Sequence, residues 1–235
     1  MTKTIVITGG TGGLGTALAR RLLARSEIRL GLTYLLPDEA TRFESEVPYD
    51  EDRVMLRRVD ATNREATDAF MREVSDRWGP FQGLAALVGA WAGGRDIEDT
   101  DDIRLERMID INLKSSFTAV RAAIPFLTKA EYGRIVLVGS RAGIENPPGQ
   151  AAFNMSKAAV MSLGRSVASE LEPTNVTASV LVPSVIDTPA TRATLPYADY
   201  VNWPTPDEIA GVAEFLLSPE AGVLNGALVP VYGRA

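Results

Sequence analysis

Three residues near the middle of the chain have types and spacing that could support chemistry. Phe153 and Lys157 are four positions apart in a segment with helical periodicity, so their side chains share one face and one cleft. Ser140 precedes Phe153 by thirteen positions and follows a continuous apolar segment. A serine at a strand end can hydrogen-bond a carbonyl or alcohol oxygen, whereas phenylalanine has no exchangeable proton. Taken singly, Ser140 also fits an ordinary turn, and Lys157 fits a solvated helix position.

The composition excludes several kinds of catalysis. The 235 residues include no cysteine and no histidine, which excludes a thiol nucleophile, a Ser-His-Asp triad and an imidazole base. The acidic cluster Asp99 to Asp102 is typical of a helix start, so we predict no metal site. A net charge of -6 and scattered arginines argue against a nucleic-acid partner.

The chain begins with a short polar segment and enters an apolar strand pattern at once. No charged segment with a cleavage site is present, and no apolar run reaches about 18 residues. We therefore expect a cytoplasmic location and no membrane partner.

Strand and helix patterns alternate along the whole chain. Short β-branched segments predict strands at 4–8, 28–35, 53–59, 82–88, 134–138, 176–182 and 227–231. Apolar residues at helical spacing predict helices at 14–25, 63–78, 102–127, 149–170 and 205–217. This alternation predicts an α/β fold, with a doubly wound parallel sheet of about seven strands and helices on both faces. We expect a single domain over 1–235, with an ordered lid at about 187–206.

A glycine-rich turn follows the first strand and opens the first helix. Five glycines occur in the eight residues from Thr8 to Gly15, where they permit a tight turn and close approach to a pyrophosphate. A turn without a ligand is the alternative, and the strand-turn-helix context favours binding. We predict nucleotide contacts from Thr8, Gly9, Thr11, Gly12, Gly13, Leu14 and Gly15.

The pattern Thr-Gly-x-x-x-Gly-x-Gly, formed by Thr8, Gly9, Gly13 and Gly15, resembles that of the short-chain dehydrogenase/reductase superfamily. The resemblance covers essentially the whole chain, because later motifs recur in the order and spacing of the family. It implies a Rossmann-like NAD(P)-binding domain. It also implies hydride transfer between the nicotinamide and a carbonyl or alcohol carbon of a small molecule.

The resemblance assigns catalytic roles to four positions. Asn112 matches an asparagine that carries a water in a proton relay, and Ser140 matches the serine that contacts the substrate oxygen. Lys157 matches the lysine that binds the nicotinamide ribose and lowers the pKa of a tyrosine. Phe153 stands where that tyrosine, the proton donor, is expected. Because general acid catalysis contributes about 10²- to 10⁴-fold, we expect a severe defect in ordinary ketone reduction with coenzyme binding retained.

Several explanations of Phe153 remain open from the sequence. A quinonoid or phenolic substrate could relay its proton through Ser140, Lys157 and water. Tyr197 and Tyr200 in the lid are possible replacement donors or walls of the substrate pocket. A natural loss of the tyrosine and an engineered one read the same in the sequence.

The resemblance also implies coenzyme contacts outside the glycine-rich turn, from Tyr34, Asp60, Ala61, Gly89, Ala90, Lys157, Pro183, Ser184, Ile186 and Thr188. An acidic residue at the end of the second strand would favour NAD, and an arginine would favour NADP. Here Thr33 to Leu36 are neither acidic nor basic, and Gly12 supplies no cation. We expect NAD or NADP, with a slight preference for NAD.

The string Gly89 to Gly94 and the segment Asp187 to Trp203 resemble dihydropteridine reductase. That similarity implies a flat heterocyclic or quinonoid substrate. We expect substrate contacts from Trp91, Ser140, Phe153, Tyr197 and Tyr200. A non-redox isomerase, cyclase or dehydratase, and a dinucleotide-sensing binding protein, are the alternative functions. Family analogy also implies a homodimer or homotetramer formed through helices 102–127 and 149–170.

Overall fold

The sheet consists of seven parallel strands. The computed structural model describes residues 2–234, without the side chain of Ala190, so residues 1 and 235 of the predicted domain lie outside it. The strands are β1 (Lys3–Thr8), β2 (Ile28–Tyr34), β3 (Val54–Arg58), β4 (Gly83–Ala86), β5 (Gly133–Val138), β6 (Val176–Pro183) and β7 (Leu228–Val231). Their order in the sheet is β3-β2-β1-β4-β5-β6-β7. The chain therefore winds outward in both directions from β1 and β4, which leaves a crevice at their carboxyl ends.

Helices cover both faces of this sheet. They are α1 (Gly13–Leu23), α2 (Pro37–Glu46), α3 (Arg64–Trp78), α4 (Asp102–Met108), α5 (Ser115–Leu127), α6 (Ala142–Glu145), α7 (Ala151–Glu170), α8 (Pro189–Thr194) and α9 (Pro206–Leu216). One apolar core lies between the sheet and α3, α5 and α7, and the other lies between the sheet and α1, α2 and α9. The predicted fold class is confirmed.

The long helix predicted at 102–127 differs in detail. A π-helical segment, Ile109–Lys114, separates α4 from α5, and it contains Asn112. Apolar periodicity cannot reveal one wide turn, because the segments on both sides keep their helical pattern. Single π turns occur often at functional sites, where they redirect a side chain.

Helix α2 was not predicted. It begins at Pro37 and buries only Ala40 and Phe43, so its apolar stripe is too sparse to show helical spacing. The predicted cap of α3 is present, since the Asn63 side chain accepts a hydrogen bond from the backbone N–H of Ala66. In the cluster predicted to start a helix, Asp101 caps α4.

Two features are absent from the described part of the chain. Among residues 2–234 no helix is both long and apolar enough to cross a membrane. The same residues bring no three acidic side chains together in a group that could hold a metal ion.

Candidate active site

A cleft of about 770 Å³ opens at the carboxyl ends of β4, β5 and β6. Residues from five separate segments of the chain line it, because parallel strands bring their carboxyl ends to one edge of the sheet. The predicted site residues among them are Leu14, Gly89, Ala90, Trp91, Ser140, Phe153, Lys157, Pro183, Ser184, Ile186 and Thr188. Three of the four predicted catalytic residues, Ser140, Phe153 and Lys157, therefore share one cavity with residues predicted for the nicotinamide end of the coenzyme, whereas Asn112 does not line it.

The turn between β1 and α1 has the geometry of a phosphate-binding loop. Gly9 has a φ of 73°, and a Cβ at position 15 would lie 2.2 Å from the Gly9 carbonyl oxygen. Both positions therefore require glycine. No side chain caps the start of α1, so its first N–H groups face the turn without a side-chain acceptor.

The residues of the turn fit a dinucleotide. The Thr11 hydroxyl is buried and has no hydrogen-bond partner among the residues described, which is costly unless a ligand or water contacts it. A Cβ at position 13 would lie 3.0 Å from the Thr188 methyl carbon, so the turn abuts the segment predicted beside the nicotinamide. A bound dinucleotide could thus run from the turn into the cleft.

Asn112 fixes the loop that follows β4. Its side chain is fully buried; Oδ1 accepts from the Ala90 N–H at 3.0 Å, and Nδ2 donates to the Ala90 carbonyl at 3.0 Å. Nδ2 also donates to the Ser156 hydroxyl oxygen at 3.0 Å. The π-helical turn places this amide so that it joins the β4 loop to α7. Asn112 thus holds in place the wall of the cleft that Gly89 and Ala90 form.

Lys157 is buried at the base of the cleft. Its ammonium donates to the Val138 carbonyl oxygen at 2.9 Å, and no carboxylate of the described residues lies within ion-pair distance. Burial lowers the pKa of Lys157 to about 8, because a desolvated ammonium is costly. A Cβ at position 89 would lie 3.1 Å from this ammonium, so Gly89 leaves the space that the lysine occupies.

Ser140 and Phe153 complete the catalytic face of the cleft. The Ser140 oxygen accepts from the Ala142 N–H at 3.2 Å, and its hydroxyl proton has no acceptor among the residues described. Phe153 packs against Met108 and Ala152 in a small apolar cluster and is almost wholly buried. The phenyl ring therefore contributes an apolar surface beside a free hydroxyl donor and a lysine.

The two lid tyrosines are not brought to the cleft. Tyr197 is fully exposed, and Tyr200 stacks with Arg192, whose guanidinium carbon lies 4.0 Å from the ring centroid. The lid reaches the cleft instead through Thr191, Thr194 and Leu195. In this arrangement neither tyrosine takes the place of a proton donor at position 153.

The predicted contacts for the adenosine lie farther along the same edge of the sheet. Tyr34 ends β2, and Asp60 and Ala61 follow β3. Asp60 is exposed, and its carboxylate accepts from the N–H and hydroxyl of Thr62, which closes a tight local turn. These residues do not line the catalytic cleft. Of the three, Tyr34 adjoins the glycine-rich turn through its neighbour Thr33, whose carbonyl oxygen accepts from the Gly10 N–H at 2.8 Å.

Sequence reasoning missed several polar residues of the cleft, among them Arg141, Glu145 and Gln150. Gln150 accepts from the Trp91 indole N–H at 2.9 Å, and Arg141 forms an ion pair with Glu145 at 2.8 Å at the rim. Gln150 is three residues before Phe153 and Arg141 directly follows Ser140, so proximity to the predicted site residues was the available signal.

Comparisons with known proteins define the class to which this fold and cleft belong. The family model of the short chain dehydrogenases matches residues 3–197. The 3-oxoacyl-[acyl-carrier-protein] reductase MabA of Mycobacterium bovis is 31% identical, over 99% of this chain and 92% of the relative. D-beta-hydroxybutyrate dehydrogenase of Rhizobium meliloti is 34% identical, over 83% of this chain and 76% of the relative.

A solved structure shows the same likeness. The short-chain dehydrogenase/reductase of Serratia marcescens BCRC 10948 superposes with a TM-score of 0.88 at 26% identity, and the match covers 99% of this chain and 97% of that one. The chain belongs to the short-chain dehydrogenase/reductase family. Membership makes it an NAD(P)-dependent oxidoreductase that acts on small molecules.

Proposed function

We propose that this protein transfers hydride between a nicotinamide coenzyme and a carbonyl or alcohol carbon of an apolar small molecule, without a tyrosine proton donor. The observation that carries the proposal is the convergence of Ser140, Phe153 and Lys157 in one cleft that also adjoins the glycine-rich turn. A binding protein without catalysis would not need a buried lysine and a free serine hydroxyl in the same cleft.

The chain's own residues supply binding and polarisation. The turn from Thr8 to Gly15 would hold the diphosphate, and the segment from Pro183 to Thr188 would hold the carboxamide side of the nicotinamide. When bound, the coenzyme supplies or accepts the hydride. The Ser140 hydroxyl would donate a hydrogen bond to the substrate oxygen, which polarises the carbon that receives the hydride.

The proton must come from a group other than residue 153. Lys157 is a titratable group that lines the cleft, and its lowered pKa of about 8 lets it exchange a proton close to neutral pH. We propose that the ammonium, acting through a water molecule or through Ser140, protonates the substrate oxygen. A quinonoid substrate would need this relay less, since hydride addition to it gives a phenolate-type anion, which is a much weaker base than the alkoxide formed from a ketone.

The relatives indicate the substrate class. Relatives are named as a 3-oxoacyl-[acyl-carrier-protein] reductase, a D-beta-hydroxybutyrate dehydrogenase and a cyclopentanol dehydrogenase, and these names support a ketone or secondary-alcohol substrate. Trp91 and Phe153 give this cleft two aromatic walls. We propose a ketone or quinonoid substrate with a flat or aliphatic apolar body.

Hydride transfer by the protein and by Phe153→Tyr tests the proposal. Nicotinamide absorbance would be followed with a 3-oxoacyl thioester, a cyclic ketone and a quinone. We expect slow reduction by the protein and a gain of about 10²- to 10⁴-fold with the ketones in Phe153→Tyr, because the phenol restores a general acid. Tyr197→Phe is the matched control. Its rates of hydride transfer should equal those of the unsubstituted protein, since Tyr197 lies outside the cleft.

Two outcomes would contradict this function. Turnover of a substrate without any change in nicotinamide absorbance would indicate a non-redox enzyme on the same scaffold. Tight coenzyme binding with no hydride transfer by either variant, across the three substrates, would indicate a dinucleotide sensor.

We also propose that the protein is a cytoplasmic homodimer or homotetramer. Ile103 of α4, Phe117 of α5 and Met155 of α7 are exposed apolar side chains on the two helical segments expected at the interface. Light scattering during gel filtration, with Phe117→Glu as the variant, would test this. A protein that remains monomeric at high concentration would contradict it.

A further inference from the structure

Two arginines lie at the carboxyl end of β2, where the sequence shows no charged residue. Arg42 of α2 donates from Nη2 to the Thr11 carbonyl oxygen at 3.3 Å, which places its guanidinium against the glycine-rich turn. Arg58, the last residue of β3, donates from Nε to the Leu35 carbonyl oxygen at 3.1 Å. Both side chains are exposed, so a ligand can reach them.

The charges of these two arginines are not neutralised within the described chain. No carboxylate of residues 2–234 forms an ion pair with Arg42 or Arg58, and the acidic first turn of α2, Asp38 and Glu39, does not reach Arg42. The neighbouring Arg57 behaves differently, since Glu73 accepts two hydrogen bonds from it at 2.9 and 2.6 Å. Adjacent residues of one strand thus carry a paired and an unpaired guanidinium.

Thr11 provides a second, independent sign of a ligand at this place. Its hydroxyl is buried and has no partner in the described part of the protein, while its carbonyl oxygen accepts from Arg42 and from the Thr16 hydroxyl at 3.2 Å. A buried hydroxyl is expected to find a hydrogen-bond partner. The same residue therefore combines an unsatisfied hydroxyl with a contact to an unpaired cation.

The position of Arg42 and Arg58 corresponds to the binding place of one part of the coenzyme. In dinucleotide-binding folds of this kind the adenosine ribose lies where the second strand ends, and its 2′-substituent faces the residues there. A 2′-hydroxyl is neutral, whereas a 2′-phosphate carries a double negative charge that arginines bind through charge-assisted hydrogen bonds. Two unpaired guanidinium groups favour the phosphate.

We propose that Arg42 and Arg58 bind the 2′-phosphate of NADP(H) and so determine the coenzyme that this protein uses. The inference rests on the proposed function, because it assumes that the glycine-rich turn holds a dinucleotide. It reverses the slight preference for NAD drawn from Tyr34 and its neighbours. The preference for NAD considered only the residues that follow β2 directly, whereas Arg42 lies within α2 and Arg58 ends β3.

Equilibrium binding tests the inference without a known substrate. NADPH, NADH, adenosine 2′,5′-bisphosphate and adenosine 5′-monophosphate would be titrated by calorimetry into the protein and into Arg42→Gln and Arg58→Gln. We expect NADPH to bind more tightly than NADH, and each substitution to weaken NADPH and the bisphosphate about tenfold. The affinity for NADH and for the monophosphate should change less than about twofold.

Arg57→Gln is the matched control, since it removes a cation of the same strand that Glu73 already pairs. It should leave all four affinities unchanged. Unfolding transitions measured for each variant check that the fold is retained. Equal affinity for NADPH and NADH, or an equal loss for both coenzymes in the Arg42 and Arg58 variants, would overturn the assignment while leaving the oxidoreductase function in place. Failure of both coenzymes to bind would overturn this inference and the proposed function together.

Discussion

Lys157 has the most unusual environment of the functional residues. Its ammonium group is removed from water and donates to one carbonyl oxygen, with no described carboxylate nearby. Because the charged form is poorly solvated there, the pKa of Lys157 is lowered. The same burial that makes Lys157 a usable proton source near neutral pH makes it a destabilising residue below that pH. Function and stability therefore act in opposite directions at this side chain.

The effect on stability depends on pH in a defined direction. The unfolded chain keeps the lysine proton up to its ordinary pKa of 10.5, whereas the folded protein loses it above about 8. Between these values the unfolded state binds more protons, so the stability of the folded state rises with pH. Below a pH of about 8 Lys157 is charged in the folded protein as well, and the desolvation of its ammonium lowers the free energy of unfolding by roughly 3 kcal/mol.

Replacement of Lys157 by methionine should remove this dependence. At pH 7 we expect Lys157→Met to be more stable than the protein by roughly 2 kcal/mol, after the lost hydrogen bond to Val138 is counted. The difference should shrink as pH rises from 8 towards 10. Urea denaturation at several pH values measures it, with the exposed Lys129→Met as a control that shows no such trend. A constant difference across this range would contradict the assignment of a lowered pKa.

At the scale of elements, the π-helical turn connects two parts of the site. It points the Asn112 amide at both polar groups of the Ala90 backbone and at the Ser156 hydroxyl. The β4 loop has no regular hydrogen-bonding pattern of its own at this place. Its shape beside Lys157 therefore depends on one side chain from a different element.

Asn112→Ala should affect both stability and coenzyme binding. The substitution leaves the partly buried N–H and carbonyl of Ala90 and the buried Ser156 hydroxyl without the Asn112 amide, which costs about 2–4 kcal/mol, and it releases the loop that forms a wall of the cleft. Urea denaturation and coenzyme titration would measure the two effects. Asn63→Ala is the control, because it removes only the cap of α3 and should cost about 1 kcal/mol with no change in coenzyme affinity. An unchanged coenzyme affinity in Asn112→Ala would show that the loop after β4 does not contribute to coenzyme binding.

At the scale of the whole molecule, the parallel sheet separates the functional edge from a structural edge. Arg134 at the start of β5 is buried, and it donates hydrogen bonds to the carbonyls of Gly133, Asn175, Ser218 and Pro219. This arginine ties three chain segments together at the amino ends of the strands. It lies on the order of 13 Å along β5 from Val138, at about 3.3 Å per residue.

Arg134→Met should therefore destabilise the protein without altering the cleft. Loss of the guanidinium leaves several partly buried carbonyls without donors, so we expect the free energy of unfolding to fall by about 2–4 kcal/mol. Coenzyme affinity, measured well below the unfolding temperature, should stay the same. A large change in affinity would show that the two edges of the sheet are coupled.

The amino-acid sequence was enough to predict the parallel α/β fold, the glycine-rich turn and the set Ser140, Phe153 and Lys157. The first two depend on short-range order, because apolar periodicity reports which face of an element is buried. The set of three was predicted from its resemblance to the motifs of the short-chain dehydrogenase/reductase family, and helical spacing places Phe153 and Lys157 on one face. The strand order was not predicted, because doubly wound sheets with right-handed crossovers occur in more than one order; the structure shows it.

Only the tertiary structure showed the contacts of Arg42 with Thr11, Asn112 with Ala90, and Trp91 with Gln150. These partners are 22 to 59 positions apart, as the pairs 90 and 112 and 91 and 150 show. No local pattern connects them, since their meeting depends on how separate crossovers pack against the sheet. The physical reason is that the spacing of apolar residues along the chain indicates which side chains are buried. It does not indicate which groups those side chains will contact.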